Sequence, residues 1–243
     1  VDDDALGVNG GEAADAERAG VVIDVGLGVA ERPVVDEEVV DVVTLELSDD
    51  ETALLDCIQG NFAEEKIENL SFYYGQCGFD GRRGTVAKNK LVEKNLLIEY
   101  RAETGGRGSA HCIVEPTPES FKFTGRTPVK LTGRGDFVHQ YIISIACQHY
   151  RALGFEVTKE CSLENGCFAD LMARNGSETV AIEVQTSKDH IYENIQKYDS
   201  INVSRIEIVC SSGALQRVLE KQYPHIKPER ICFLTLTHYL SRS

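Results

Sequence analysis

The sequence predicts an α/β protein in which helices flank a mixed sheet, with a smaller unit of three helices and a hairpin before that sheet. Within residues 137–153 apolar side chains recur at helical spacing, and the pattern ends at Gly154, a common helix stop. Short apolar runs typical of strands follow. The expected order after the helix is three strands, a helix, a strand, a helix and a last strand, at 155–161, 167–173, 180–186, 190–200, 205–211, 214–223 and 230–236.

Composition divides the 243 residues into four expected segments. These are an acidic amino-terminal arm or small sheet (1–47), a helical unit with a hairpin (48–115), a linker (116–136) and the mixed-sheet domain (137–243). Short Val-rich runs alternate with acidic patches in the first segment, which suits short strands or an arm that packs on a protein partner. The third segment is rich in Pro, Gly, Thr and basic residues, as linkers are.

The net charge of −14 is concentrated near the amino-terminal end. Residues 1–56 hold 17 Asp or Glu and two Arg, a net charge of −15. Residues 57–243 hold 22 acids and 23 bases, a net charge of +1. Residues 82–134 alone hold 11 Lys or Arg against five Glu. That stretch therefore suits a polyanionic partner such as DNA, which the amino-terminal part would repel.

The helical unit begins with a capping box, in which Ser48 precedes Glu51 by three residues. Apolar spacing then predicts three helices and a hairpin, at 51–60, 63–75, 82–97 and 98–115. Three short helices followed by a hairpin is the order of the winged helix. The stretch LVEKNLLIEY also resembles the end of a winged-helix recognition helix, which runs straight into the wing.

The resemblance implies that the third helix enters the DNA major groove while the hairpin follows the backbone. Its core side is expected from Val86, Leu91, Leu96 and Leu97. The candidate nucleic-acid-binding residues are Arg82, Arg83, Lys88, Asn89 and Lys90 on the helix, and Arg101 and Arg107 on the hairpin. Two alternatives stay open: the unit contacts another protein, or its charges only solvate a helix face.

The cysteines and the absence of targeting patterns predict a cytoplasmic protein. Eight cysteines are scattered without a CxxC pair, so reduced thiols are expected rather than zinc ligands. The sequence begins without the basic and apolar pattern of a signal peptide, and no apolar stretch approaches the roughly 20 residues that span a bilayer. Reduced thiols fit the cytosol, and no membrane partner is expected.

Two acidic residues interrupt neighbouring apolar strands of the predicted sheet. Asp170 lies in CFADLMA and Glu183 in VAIEVQT, joined by the hydrophilic turn 174–179. A carboxylate among buried neighbours costs several kcal/mol unless it is paired or holds a metal. Two such groups on adjoining strands indicate a shared cation. Gln185, two residues after Glu183, is expected on the same side of its strand.

Together with Ser187, this D-(x)12-E-x-Q-x-S pattern resembles the PD-(D/E)XK nuclease superfamily in its E-x-Q variant, of the competence-protein CoiA type. The likeness covers about residues 134–212, where the predicted α-β-β-β-α-β order matches the core of that superfamily. It implies a restriction-endonuclease-like core with Asp170 and Glu183 as ligands of Mg²⁺ or Mn²⁺. The lysine of the usual pattern is absent. Gln185 stands in its place, and Lys188 is the candidate that would supply the charge by migration.

The resemblance implies a metal-dependent DNA endonuclease to which the winged helix delivers DNA, as part of a mobile-element, DNA-transfer or defence system. Gln185 would hold the attacking water or a phosphate oxygen, and Lys188 would offset charge. His139 stands where many relatives carry a metal-site Glu; it reaches the cation or its water, or is a structural histidine. His190, Asn194, Lys197 and Tyr198 are close enough in sequence to Glu183 to line the same cleft.

Two other interpretations of the whole chain remain open. In the first, the nuclease-like domain is inactive and the chain is a DNA-binding adaptor or regulator. In the second, the chain is a protein-interaction module. Nucleases of this fold often pair to cut both strands, so a homodimer is also open.

Overall fold

The computed structural model describes residues 45–106, 109–226 and 229–240. Most of the predicted acidic arm or small sheet, up to residue 44, lies outside the described residues, and so does the candidate Arg107.

Three helices and an antiparallel hairpin form the first part of the described chain. They are α1 (Asp49–Ala63), α2 (Leu70–Gln76), α3 (Gly81–Glu93), β1 (Leu97–Glu103) and β2 (Ala110–Pro116). The Ser48 side chain accepts a hydrogen bond from the amide of Glu51, whose own side chain accepts one from the amide of Ser48. The predicted capping box is therefore confirmed.

Two details of this part correct the expectations. The second helix begins at Leu70, not at residue 63, because Glu65 takes a positive φ of 54° that ends the preceding turn. Asn69 then caps α2 through its side chain. Val86 was expected in the core, but it is 51% exposed, so this expectation was wrong.

The predicted linker contains a further helix, α4 (Pro118–Thr124). Thr117 caps it, proline occupies its first turn, and Gly125 ends it in the left-handed conformation. Ser120 is fully buried and accepts a hydrogen bond of 3.1 Å from the Gln59 side chain on α1. Residues 117–125 are thus part of the folded core.

The second part is a mixed five-stranded sheet flanked by helices, which confirms the α/β class. Its elements are α5 (Phe137–Ala152), β3 (Glu156–Ser162), β4 (Phe168–Asn175), β5 (Glu178–Gln185), α6 (Ile191–Gln196), β6 (Arg205–Cys210), α7 (Gly213–Gln222), β7 (Ile231–Thr235) and α8 (Thr237–Leu240). The strand order is β3-β4-β5-β6-β7; β3, β4 and β5 are antiparallel, and β6 and β7 run parallel to β5. The predicted order from α5 to β6 is present.

Alternation along the strands gives the sheet two apolar faces. On β5, Val180, Ile182 and Val184 join the core that contains α5, whereas Ala181 joins a second core with Ile191 of α6 and other residues of that face. Glu183 and Gln185 follow Ala181 at two-residue intervals, so they face the second core. This placement brings the residues that follow β5 over both side chains.

The helical unit and the sheet domain share one core. The ring of Phe137 on α5 lies 5.9 Å from that of Phe62 on α1 and 5.0 Å from that of Tyr100 on β1, measured between centroids. At the other end of the hairpin, the amide and the hydroxyl of Thr237 both donate to the carbonyl of Thr104. The two predicted domains therefore form one compact unit from Leu45 onward. Among the described residues, no helix is both long enough and apolar enough to cross a bilayer.

Candidate active site

Asp170 and Glu183 meet at the open end of the β4–β5 hairpin. The strand pairing runs from Asn175 opposite Glu178 at the turn to Leu171 opposite Ile182, so the two acids are the next residues along each strand. Beyond this paired region, the amide of Val184 on β5 donates a 2.8 Å hydrogen bond to Oδ2 of Asp170 instead of to a main-chain carbonyl of β4. The negative charge of Asp170 also raises the pKa of Glu183, which shows that the two carboxylates interact.

Glu183 is almost completely buried, and two neighbours satisfy its carboxylate. Lys197 lies 2.7 Å from Oε2, and the hydroxyl of Tyr198 donates to Oε1. Burial raises the pKa of Glu183, the charge of Asp170 raises it further, and Lys197 and Tyr198 lower it, which leaves a value of about 7. Burial beside the same carboxylate raises the pKa of Tyr198 well above its usual range. Glu183 therefore changes charge near neutral pH.

His139 approaches Asp170 from the first turn of α5. Its Nε2 lies 3.5 Å from Oδ2 of Asp170, and it is a buried nitrogen with no hydrogen-bond partner among the described residues. Gly135 explains the position of the ring, because a side chain there would come within 2.6 Å of the imidazole. At 3.5 Å the imidazole and the carboxylate are in direct ion-pair range, with no room for a water or a cation between them.

The Gln185 side chain makes its hydrogen bonds to residues that follow β5. Its side-chain amide donates 2.7 Å hydrogen bonds to the carbonyls of Ser187 and Asp189, and its oxygen accepts one of 3.1 Å from Asn194. Both amide hydrogens are thus used within the chain. Gln185 holds the loop against the carboxylates, which makes it a positioning residue in this arrangement. Its expected contact with water or phosphate stays a prediction.

Lys197, and not Lys188, provides the positive charge next to Glu183. Lys188 is exposed in the loop after β5 and makes no ion pair with any described residue. The Lys197 ammonium bridges Oε2 of Glu183 and the carbonyl of Phe168, both at 2.7 Å. The sequence had indicated Lys197 and Tyr198 as cleft residues through their proximity to Glu183. Helix α6 ends at Gln196, so Lys197 and Tyr198 follow the helix and reach Glu183 near the carboxyl-terminal end of β5.

The donor set fits one hard divalent cation, since carboxylate oxygens are the ligands that Mg²⁺ and Mn²⁺ prefer. Asp170 and Glu183 would hold the ion, with the unpartnered Nε2 of His139 next to it. Within the described residues, no three His, Cys, Asp or Glu side chains already lie close enough to share an ion. Glu183 gives both of its oxygens to Lys197 and Tyr198. Binding of an ion would therefore require Lys197 to move from Oε2.

Three of the five described basic residues that were predicted to bind nucleic acid are paired with acids. Arg83 forms two hydrogen bonds with Asp50, of 2.6 and 2.8 Å. The other pairs are Lys88 with Glu99, and Lys90 with Glu51 at 3.5 Å. Lys88 is also buried, which differs from the expected basic face of the helix. The positive charge predicted for α3 is thus largely neutralised.

Three of the predicted contact residues remain exposed without an ion pair in the described part of the chain: Arg82 and Asn89 on α3, and Arg101 on β1. Among the described residues of the hairpin tip, Gly105 packs against Thr235 of β7. The third helix and the hairpin therefore offer fewer unpaired positive charges for binding DNA than the sequence suggested.

An arginine and an aromatic ring lie at the edge of the acidic cluster. The guanidinium carbon of Arg134 is 4.6 Å from the ring centroid of Phe168, the first residue of β4. The Arg134 side chain also lies 3.6 Å from Glu160, and its amide donates to the same carboxylate at 2.8 Å. Arg134 lies in the predicted linker, among its basic residues. The position of Phe168 beside it had no signal in the sequence pattern.

Comparisons with known proteins give little further information. No family model matches the chain, and no curated protein matches it. A solved structure, that of protein VC1899 from Vibrio cholerae, is similar over 79% of this chain, with 12% sequence identity and a TM-score of 0.34. The chain spans about half of that protein, since the similar region is 49% of its length.

Proposed function

We propose that the chain is a metal-dependent nuclease that hydrolyses phosphodiester bonds in nucleic acid, with a core of the PD-(D/E)XK type. The observation that carries the proposal is the meeting of Asp170 and Glu183 where β4 and β5 part, with a lysine next to them. Two acids and a lysine at one end of a sheet provide the charges that metal-assisted phosphoryl chemistry requires. The order of helices and strands around them supports the same core.

Asp170 and Glu183 would hold a Mg²⁺ or Mn²⁺ ion, which would supply an acidified water and positive charge near the phosphate. Glu183 would have to be ionised for that task. Lys197, which contacts Oε2 of Glu183, would then be able to pair with a phosphate oxygen. The Nε2 of His139 can accept a proton or hold a water next to Asp170. Gln185 keeps the loop 186–190 in place through two main-chain carbonyls.

The three helices and the hairpin would form a winged-helix unit that binds DNA through the exposed Arg82, Asn89 and Arg101. The proposal keeps the cytosol as the compartment, because all eight cysteines are free thiols. A role in a mobile-element, DNA-transfer or defence system and a paired, homodimeric enzyme belong to the same hypothesis. A protein partner for the acidic segment before residue 45 also remains a hypothesis.

A second candidate function is a DNA-binding adaptor whose nuclease-like site is inactive. It is favoured by one observation: Lys197 and Tyr198 already contact both carboxylate oxygens of Glu183. Such a protein would bind nucleic acid with a steep dependence on salt but would not cleave it.

Incubation with plasmid DNA and RNA, with Mg²⁺, Mn²⁺ or EDTA, tests the proposal. Wild type is expected to cleave only with metal, and Asp170→Asn and Glu183→Gln are each expected to lower the rate about 100-fold or more. Lys188→Met is the matched control, because this lysine contacts neither carboxylate. Equal cleavage by wild type and both variants would indicate a contaminant. Binding without cleavage under every metal condition would favour the adaptor.

A further inference from the structure

We propose that Arg134 and Phe168 form a stacking subsite for an unpaired nucleotide next to the scissile phosphate, so that the nuclease prefers single-stranded nucleic acid. This inference rests on the proposed function, whose substrate class it specifies. Phe168 is 39% exposed, and Arg134 lies across its ring without burying it. Aromatic rings and guanidinium planes on a protein surface stack on bases of any sequence.

The subsite is connected to the carboxylates by direct contacts. Phe168 precedes Asp170 by two residues on β4, and Arg134, which lies over its ring, is in the loop before α5, whose His139 lies 3.5 Å from Asp170. Lys197 joins the two features, because one ammonium binds the Phe168 carbonyl and the Glu183 carboxylate. A nucleotide stacked on Phe168 would therefore have its phosphate within reach of the charged cluster.

The loop that carries Arg134 is fixed rather than merely exposed. The Gln140 side chain of α5 donates to the carbonyl of Arg134, and Glu160 accepts from its amide. The neighbouring Gly133 and Gly135 have φ angles of 128° and 87°, which other residues rarely adopt. The main chain of Arg134 is thus held in place, and its guanidinium lies over Phe168 and beside Glu160. An oriented guanidinium loses little entropy when it binds a base or a phosphate.

A continuous duplex does not fit this subsite. Its bases are stacked on one another, so an aromatic platform gains nothing from them unless a base is unpaired or flipped. The surface predicted to receive a duplex is also weakened, since Arg83, Lys88 and Lys90 are paired with acids. The paired charges on α3 and the exposed ring of Phe168 therefore both favour a strand with unpaired bases over a duplex.

The test measures binding apart from cleavage. Fluorescence anisotropy in EDTA, with labelled single-stranded DNA, single-stranded RNA and duplex DNA of about 16 nucleotides, gives the affinities of the full chain. Phe168→Leu and Arg134→Ala are each expected to weaken single-strand binding about tenfold and to change duplex binding less than about twofold. Phe168→Trp, which keeps the platform, is expected to retain the single-strand affinity.

Matched controls lie away from the subsite: Phe72→Leu on α2 alters an exposed ring, and Arg151→Ala in the last turn of α5 alters an exposed arginine at the opposite end of that helix from His139. They are expected to leave single-strand binding unchanged. Equal or tighter duplex binding, or a larger loss in these controls than in the subsite variants, would overturn the proposal. Preference for DNA or RNA follows from the two single-strand probes.

Failure of the subsite can be told apart from failure of the nuclease. Metal-dependent cleavage that needs Asp170 but is insensitive to Phe168→Leu would remove the subsite and keep the hydrolytic site. Loss of single-strand binding in the two subsite variants, with no cleavage in wild type, would keep the subsite and support the adaptor.

Discussion

At the scale of single residues, Glu183 determines both the chemistry and a local cost to stability. Its carboxylate is buried beside Asp170 and is only partly compensated by Lys197 and Tyr198, which is why its pKa rises to about 7. The native state therefore binds a proton more tightly than the unfolded chain does. By linkage, the folded protein loses stability as the pH rises from the ordinary carboxyl pKa to about 7.

Glu183→Gln removes this titration and keeps an amide that can hydrogen-bond. The stability of the variant relative to wild type is expected to increase by about 2 to 3 kcal/mol between pH 4.5 and pH 8. Urea unfolding of both proteins across this range measures the change. A stability difference that does not vary with pH would show that Glu183 titrates at its ordinary pKa.

Lys197→Met leaves the buried Glu183 without its counter-charge. We expect a loss of about 2 kcal/mol in unfolding free energy at pH 8 and a smaller loss at pH 6, where Glu183 takes up a proton instead. Lys188→Met is the control and is expected to change stability by less than about 0.5 kcal/mol. An equal loss at both pH values would mean that Lys197 stabilises the fold through packing and not through the carboxylate.

At the scale of elements, a close contact at Gly84 determines how α3 packs against α2. Gly84 of α3 lies under the ring of Tyr74 on α2, and a side chain at this position would come within 2.5 Å of the ring. Gly60, near the carboxyl-terminal end of α1, is exposed and has no atom within 4 Å of the place of a side chain. The same substitution at these two glycines therefore has opposite consequences.

Gly84→Ala is expected to lower the unfolding free energy by about 1 to 3 kcal/mol, because Tyr74 must move. Gly60→Ala is expected to raise it by about 0.5 to 1 kcal/mol through helix propensity. Thermal or urea unfolding of the two variants checks both signs. A stabilising Gly84→Ala would show that the α2–α3 contact is looser than the structure has it.

Elements with strong local patterns were predictable from sequence, and those that depend on context were not. The strands around Asp170 and Glu183 follow from alternating apolar residues, and α5 ends next to Gly154 as expected. Helix α4 was missed, because its Thr-Pro start and Gly end are also the composition of a linker. In the candidate site, the two carboxylates could be identified because they interrupt apolar strands. That Lys197 and not Lys188 contacts Glu183 could not be predicted, because it depends on where α6 ends.

At the scale of the whole molecule, one apolar core joins the helical unit to the sheet. Phe137 of α5 packs between Phe62 and Tyr100, and His111 of β2 shares a hydrogen bond of 2.5 Å with Tyr141. Sequence could not show this union, because it depends on contacts between residues far apart in the chain. The two parts are expected to unfold together.

Since the chain has no Trp, single reporters can be placed in each part. Phe72→Trp on α2 and Tyr192→Trp on α6 replace exposed aromatic residues. Their urea transitions, followed by Trp fluorescence, are expected to have the same midpoint, as in a cooperative two-state unfolding. Separate midpoints would show two independent domains, as the sequence had suggested.

The contact between Thr237 and Thr104 also bears on synthesis at the ribosome. The two residues are 133 positions apart, so the hairpin receives these hydrogen bonds only after α8 has left the exit tunnel. Helices α1 to α3 are synthesised before α5, so Phe62 and Tyr100 lack the ring of Phe137 until α5 has emerged. Nascent chains stalled before α8 has emerged should need chaperone protection, and chains stalled beyond it should not.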